Sequence, residues 1–324
     1  MNILYNNKGI AAILAILIIS IIVVLTLEFN TSMREEFHAS VNSKDGIMLG
    51  YIAKSGFNFA LAVLSEDESD SDSLNDKWAI LKNYSSYSNN LFDEGLFQVE
   101  VTDLQGRIQI NQLINSGGEY NLKQKELLTR LLTSEEFDIE KEEAEDIIDN
   151  IKDWIDADDE VTRFGAESSY YQNLESPCSC RNGPIRSIEE MLLIKGITKE
   201  LMFGEKGNSG LSRYLTLFGD GGGRININTA APYVIGILSE GIDQDMVDDI
   251  VTYREDEDND LKNTLWYKDA IGTDVDIIDP SLITIKSSYF EILSRGYRDN
   301  LVAGIKAVVR RNGDKFKILS WKVF

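Results

Sequence analysis

KGIAAILAILIISIIVVLTL, residues 8–27, is the stretch on which the reading of this chain turns. From Ile10 to Leu27 no charge interrupts it, and Glu28 is the first charged residue beyond. At about 1.5 Å per residue a helical run of this length covers about 27 Å, close to the hydrocarbon thickness of a bilayer. The stretch therefore reads as a membrane anchor spanning residues 10–27. A secretory signal peptide places its small-residue cleavage site after the apolar core, whereas here Lys8 and Gly9 end a short polar leader, residues 1–9, ahead of it. The cation on the short side favours an amino terminus in the cytoplasm. An uncleaved signal anchor is the plainer alternative.

The polar leader, the glycine and the apolar run together resemble the type IV prepilin leader. The resemblance implies cleavage by a prepilin peptidase between Gly9 and Ile10, with methylation of the new amino terminus. Pilins and pseudopilins of this class carry a glutamate at the fifth mature position, facing the amino terminus of the subunit ahead. Counted from Ile10, that position is Leu14. An unpaired carboxylate in lipid is costly, so a subunit with no neighbour ahead of it does better with an apolar residue. This departure, and the size of the chain, resemble the K-type minor pseudopilin of the type II secretion system, which implies a place at the filament tip with Leu14 as its marker.

Composition sets bounds on the remainder. With 324 residues, 43% of them hydrophobic, the chain holds enough apolar material for two cores beyond the anchor. Its net charge of -22, from 32 Lys and Arg against 54 Asp and Glu, disfavours nucleic acid and anionic lipid as partners and suits divalent cations. His38, beside Glu35 and Glu36, is the single histidine, so neither a Ser-His-Asp triad nor a zinc cluster can be built, and no enzymatic activity is expected.

Apolar spacing at Met48, Ile52, Phe59 and Val63 predicts that the anchor helix continues as a stem to about Leu64, with a hesitation near Gly46 and Gly50. The acidic, serine-rich run from Ser65 to Ser73 reads as a solvated loop. Alternation at Phe97, Val99 and Val101 predicts a strand, and Gly106 turns the chain toward a second, Arg107 to Ile110. Helical spacing then holds from Leu122 to about Ile155, from Ser187 to about Tyr214 and from Ala230 to Arg254. Strands return at Tyr289 to Ser294, Leu301 to Arg310 and Lys315 to Val323, the last two joined by Asn312-Gly313, a hairpin signal.

Sheet, helices, sheet is an insertion pattern. It predicts an α+β fold: a long N-terminal transmembrane and stem helix packed on an antiparallel pilin-like sheet, with a large inserted α-helical domain. Residues 28–112 supply the stem and first part of the sheet, 113–280 the insertion, and 281–324 the closing strands. The K-type pseudopilin has the same arrangement.

Inside the insertion, Asp153-Trp154-Ile155-Asp156-Ala157-Asp158-Asp159-Glu160 is followed by Gly165-Ala166-Glu167 and Tyr170-Tyr171. Carboxylates at Asp156, Asp158, Asp159 and Glu167 can surround a hard cation, which takes six to eight oxygens when it is calcium. Counted from Asp156, the spacing lacks the glycine at loop position six of an EF-hand. The segment resembles one in the K-type family, whose α-domain holds calcium; without that resemblance it reads as a helix end running into an acidic loop, with Trp154 in the core.

Cys178 and Cys180 are the only cysteines. Residues two apart point to opposite faces of an extended chain, so a disulfide between them requires a tight turn, and two free thiols are the equal alternative. Ser187 with Glu190 reads as a capping box, and the helix it opens ends at Lys195-Gly196-Ile197, with Thr198 capping the next. A similar turn at Gly241-Ile242 follows Ile225-Asn226-Ile227-Asn228-Thr229-Ala230. Such pairs resemble helix-hairpin-helix motifs, which would make the chain a DNA-binding or uptake protein. Asp243, Asp245, Asp248 and Asp249 after the second turn repel phosphate, so no nucleic acid is expected and both turns read as packing devices. A minor pilin of a type IV pilus is the other alternative.

The K-type resemblance extends over nearly the whole chain. It implies a structural subunit of the secretion pseudopilus that supports export across the outer membrane. Its partners would be the I-type and J-type minor pseudopilins, met through stem helices. It would sit in the inner membrane, with most of the chain in the periplasm.

Overall fold

The computed structural model describes residues 7–205, 209–313 and 315–324. Most of the polar leader, residues 1–6, lies outside the described residues. Helix α1 runs unbroken from Asn7 to Ser65, so neither Gly46 nor Gly50 interrupts it. The stretch from Gly9 onward is long and apolar enough to cross a membrane, and its apolar window has no buried residue. Burial begins only near Leu49, where α1 reaches the sheet.

That sheet has four antiparallel strands in the order β1-β6-β7-β8: β1 (Leu96–Asp103), β6 (Tyr289–Arg298), β7 (Leu301–Asn312) and β8 (Lys315–Val323). Alternate residues of β1 and β6 are buried, as a half-covered sheet requires. Leu49, Ile52, Ala53, Phe57, Ala60 and Leu64 of α1 pack on Phe97, Val99, Phe290, Ile292, Ile305 and Val309. The contact is close because two glycines admit it. A Cβ on Gly56 would collide with Ser294 Oγ and lie 2.9 Å from Phe97, and one on Gly296 would lie 2.5 Å from the Leu49 carbonyl. Gly56→Val is expected to lower stability by about 2–3 kcal/mol through overpacking, measured as a lower denaturation midpoint. The β7–β8 turn is the hairpin expected at Asn312-Gly313, with Gly313 at φ +59°.

The hairpin expected between Phe97 and Ile110 does not form. β1 pairs instead with β6, nearly two hundred residues on, from Leu96↔Tyr297 to Asp103↔Phe290. β2 (Ile108–Gln109) pairs in parallel with β3 (Leu215–Thr216), and Ile108 and Ile110 join the second core. Gly106 explains the departure: a Cβ there would press on Thr229, so the chain passes against the second body instead of turning back.

The second core is built on α3 (Leu122–Leu132) and α4 (Lys141–Ile155), with buried Leu127, Leu128, Leu131, Ile147, Ile148, Ile151 and Trp154. Of the other elements, α2 (Leu81–Tyr84) lies beside the sheet, and α5 (Ser168–Tyr171), α6 (Lys199–Phe203), α7 (Pro232–Ile237), α8 (Gln244–Glu255), α9 (Tyr267–Ile271) and a parallel pair β4 (Ile225–Asn226) and β5 (Ile283–Thr284) complete the body. The helix expected from Ser187 to Tyr214 is a 3-10 segment, Ile188–Leu193, then α6 and a further 3-10 turn. Gly196 at φ +86° and Gly204 at φ +79° end its pieces. Ser187 caps the first piece, accepting from the Glu190 N–H, while Glu190 accepts from the Arg186 N–H one residue earlier than a capping box would have it. Thr198 caps α6, accepting from the Leu201 N–H.

Candidate functional site

α4 ends at Ile155, and the chain beyond it turns three carboxylates toward one point. Oxygens of Asp156, Asp158 and Glu167 lie within 4.8 Å of one another; the first and last are buried and Asp158 is exposed. Asp156 Oδ1 and both oxygens of Glu167 are buried without a hydrogen-bond partner. Asp153, one turn earlier on α4, is fully buried and accepts from the Thr162 N–H at 3.1 Å. A Cβ on Gly165 would collide with its carboxylate, so Gly165 lets the loop close over α4. Lys152 is the local cation, with Nζ 2.6 Å from Asp156 Oδ2 and 2.9 Å from Thr162 Oγ1.

One ammonium does not neutralise this site. Burial raises the Glu167 pKa to about 7, and the charges of Asp153 and Asp156 add to it. Asp153 and Asp156 are also raised, again chiefly by burial. Orphaned carboxylate oxygens converging on one point are the donor set of a hard divalent cation, so the residues fit calcium. A cleft of about 680 Å³, bordered by Asn111, Asn115, Asn121, Asp156 and Asn182, leads to Asp156. Asp159 stands outside this convergence: its Oδ1 accepts from Asn182 Nδ2 at 3.2 Å.

Behind the carboxylates lie the cysteines. Both thiols are free, and Cys180 donates to the Asp153 carbonyl at 3.3 Å. Burial pushes the Cys180 thiol up to about 12, with the Glu167 charge adding to the effect. Trp154 is in the core and donates to Glu190 Oε1 at 3.0 Å.

The two glycine turns differ from one another. Gly196 takes the left-handed conformation against Ile147, whereas Gly241 does not have a positive φ and is followed by the cap Asp243, which accepts from the Met246 N–H. The Ile225–Ala230 phrase is more than a helix entry. Asn226 Nδ2 donates to the Asp72 carbonyl, Asp103 Oδ2 and Ser287 Oγ, and Asn228 bonds Trp266 Nε1 and the Leu261 carbonyl. Arg254 donates to the carbonyls of Ile227 and Ala230.

These contacts expose a feature that sequence reasoning missed. Asp103, at the end of β1, is buried and accepts from Ser287 Oγ and Thr229 Oγ1 at 2.5 Å each, from Asn226 Nδ2 at 3.0 Å and from the Gln105 N–H at 2.8 Å. Asp72 accepts from Arg311 Nη2 at 2.5 and 2.6 Å and from the Ser287 N–H. The run from Ser65 to Ser73 is therefore not wholly solvated: Ser71, Asp72 and Ser73 are buried at the junction of the two bodies. Burial raises the Asp72 pKa to about 6 despite Arg311. Asp67 and Asp76 stand beside it, but all three carboxylates are satisfied, by Arg311, Ser73, Ser287 and Trp78.

The fold and this helical body have recognisable counterparts. Residues 106–203, which include the carboxylate cluster, match the family model of type II secretion system protein K. The type II secretion system protein K of Aeromonas hydrophila is 23% identical over 304 residues, covering 88% of this chain and 87% of the relative. Over most of its length the chain is similar to type II secretion system protein K. A Klebsiella pneumoniae protein K is 22% identical over 239 residues, covering 72% of this chain and 70% of that relative. The crystal structure of the GspK-GspI-GspJ complex from enterotoxigenic Escherichia coli contains a chain of the same fold. The TM-score is 0.67 at 17% identity, covering 88% of this chain and 99% of that one. The α+β, pilin-like architecture expected from the sequence is thus that of protein K. Both Asp156 and Glu167 fall inside the segment the family model matches.

Proposed function

We propose that this chain is a protein K, a structural minor pseudopilin at the tip of the type II secretion pseudopilus. The observation that carries the reading is α1, unbroken from a membrane-length apolar segment into a sheet-packed stem, with Leu14 where a buried carboxylate would invite a subunit ahead. Prepilin peptidase cuts between Gly9 and Ile10. The anchor waits in the inner membrane with its amino terminus cytoplasmic, and both bodies stand in the periplasm.

The outward face of the stem carries Ile47 and Tyr51, 60% and 68% exposed, as unpaired apolar contacts for a neighbouring helix. I-type and J-type pseudopilins are the partners this face serves, in keeping with the complex in which GspK is found with GspI and GspJ. Calcium, held by Asp156, Asp158 and Glu167, fixes the loop after α4 and has a structural role. The chain performs no catalysis in this reading.

Membrane-extracted chain, isolated from cells with the peptidase, is expected to begin at Ile10 by mass spectrometry and to co-purify with I-type and J-type subunits. An intact Met1 terminus, or failure to retain either subunit, would count against the proposal.

A further inference from the structure

The two edges of the pilin-like sheet are treated differently. The β1 edge is closed by the 3-10 segment Ser85–Leu91, where Ser88 Oγ both accepts from the Phe97 N–H and donates to the Phe97 carbonyl. At the other edge, β8 pairs only with β7 among the described residues. Its nine residues are almost all exposed or half-buried.

Beyond Phe316, which packs on the core, the face of β8 turned toward α1 is also open. Ile318, Trp321 and Val323 pair with Val309, Ala307 and Ile305, all buried, yet are themselves 47%, 40% and 66% exposed. Phe57 of α1 meets Trp321 edge to face at 4.8 Å. An unpaired backbone edge thus runs beside an open apolar strip, the surface that strand addition requires.

Charge selects what can be added. In a chain of net charge -22, residues 301–324 contain Lys306, Arg310, Arg311, Lys315, Lys317 and Lys322 against Asp314 alone. Arg311 is taken up by Asp72 and Lys306 by Glu291, while Lys322 has a loose, exposed partner in Glu189. Lysines on an edge repel a second copy of the same strand and admit an acidic one.

We infer that the β8 edge is a docking site for an extended acidic segment of a partner protein, one that alternates apolar residues with Asp or Glu and adds a fifth strand to the sheet. Its apolar side chains cover Ile318, Trp321 and Val323, and its carboxylates face Lys315, Lys317 and Lys322.

The test uses the full chain in detergent micelles and a labelled ten-residue peptide alternating valine with glutamate, beside the same peptide with lysine for glutamate. The acidic peptide is expected to bind at least about tenfold tighter at low salt, to weaken as salt rises, and to protect β8 amides from hydrogen exchange. The variant K315E/K317E/K322E, whose substitutions lie on an exposed strand, should reverse the preference between the peptides while retaining the parent's thermal transition. Equal binding of both peptides, protection outside β8, or concentration-dependent dimers that bury β8 would each overturn the inference.

Discussion

Asp103→Ala is expected to lower the stability of the chain by about 3–5 kcal/mol, the range for removing one partner from a buried charged network. The carboxylate collects four donors from three parts of the chain: Gln105 next to it, Asn226 and Thr229 in the second body, and Ser287 on the return to the sheet. With an alanine, those donors lose their acceptor where water does not readily replace it. Asp103→Asn is expected to cost less, since one oxygen remains, but the amide nitrogen must then face a donor. Because the network joins the two bodies, the loss should appear first as independent transitions in calorimetry. A single unchanged transition in Asp103→Ala would show that apolar contacts alone hold the bodies together.

Calcium is expected to stabilise the chain in a pH-dependent way. Without the ion, Glu167 has a folded pKa of about 7 against an ordinary 4.5, and Asp153 and Asp156 are raised in the same direction. A carboxyl whose pKa rises on folding binds more protons folded than unfolded. Ion-free protein should therefore gain stability as pH falls from about 8 toward about 5, by on the order of 3 kcal/mol if Glu167 dominates. Calcium binds the ionised form and should reverse this trend, stabilising most at pH 7 to 8 and least near pH 5, where protons compete. Glu167→Gln should reduce the pH dependence of the ion-free protein, leaving the part that Asp72 contributes, and abolish most of the calcium effect. Thermal melts across pH with calcium or a chelator test this, and a melting temperature indifferent to calcium at pH 8 would remove the metal from the account.

The parts of the fold visible in the sequence are those set by local rules. An uncharged apolar run of membrane length, helical spacing through Val63, alternation in β1, and Asn312-Gly313 between two strands each act within a few residues of themselves. The carboxylate cluster was legible for the same reason: Asp156 and Asp158 are neighbours in the loop after α4, and Glu167 lies close behind. Asp159 looked equivalent, yet its partner Asn182 comes from a different segment.

What escaped sequence reading depends on distant segments meeting. Nothing near Gly106 announces that β1 will pair with β6 while Ile108 turns to Leu215. Asp72 reads as one more residue in an acidic loop until Arg311 and Ser287, more than two hundred positions away, bury it. Local propensity and hydrophobic period fixed the anchor, the stem, the strands and the acidic loop. Tertiary structure decided which strands pair, which carboxylates lose their water and which sheet edge stays open, because burial and long-range pairing are properties of the assembled chain.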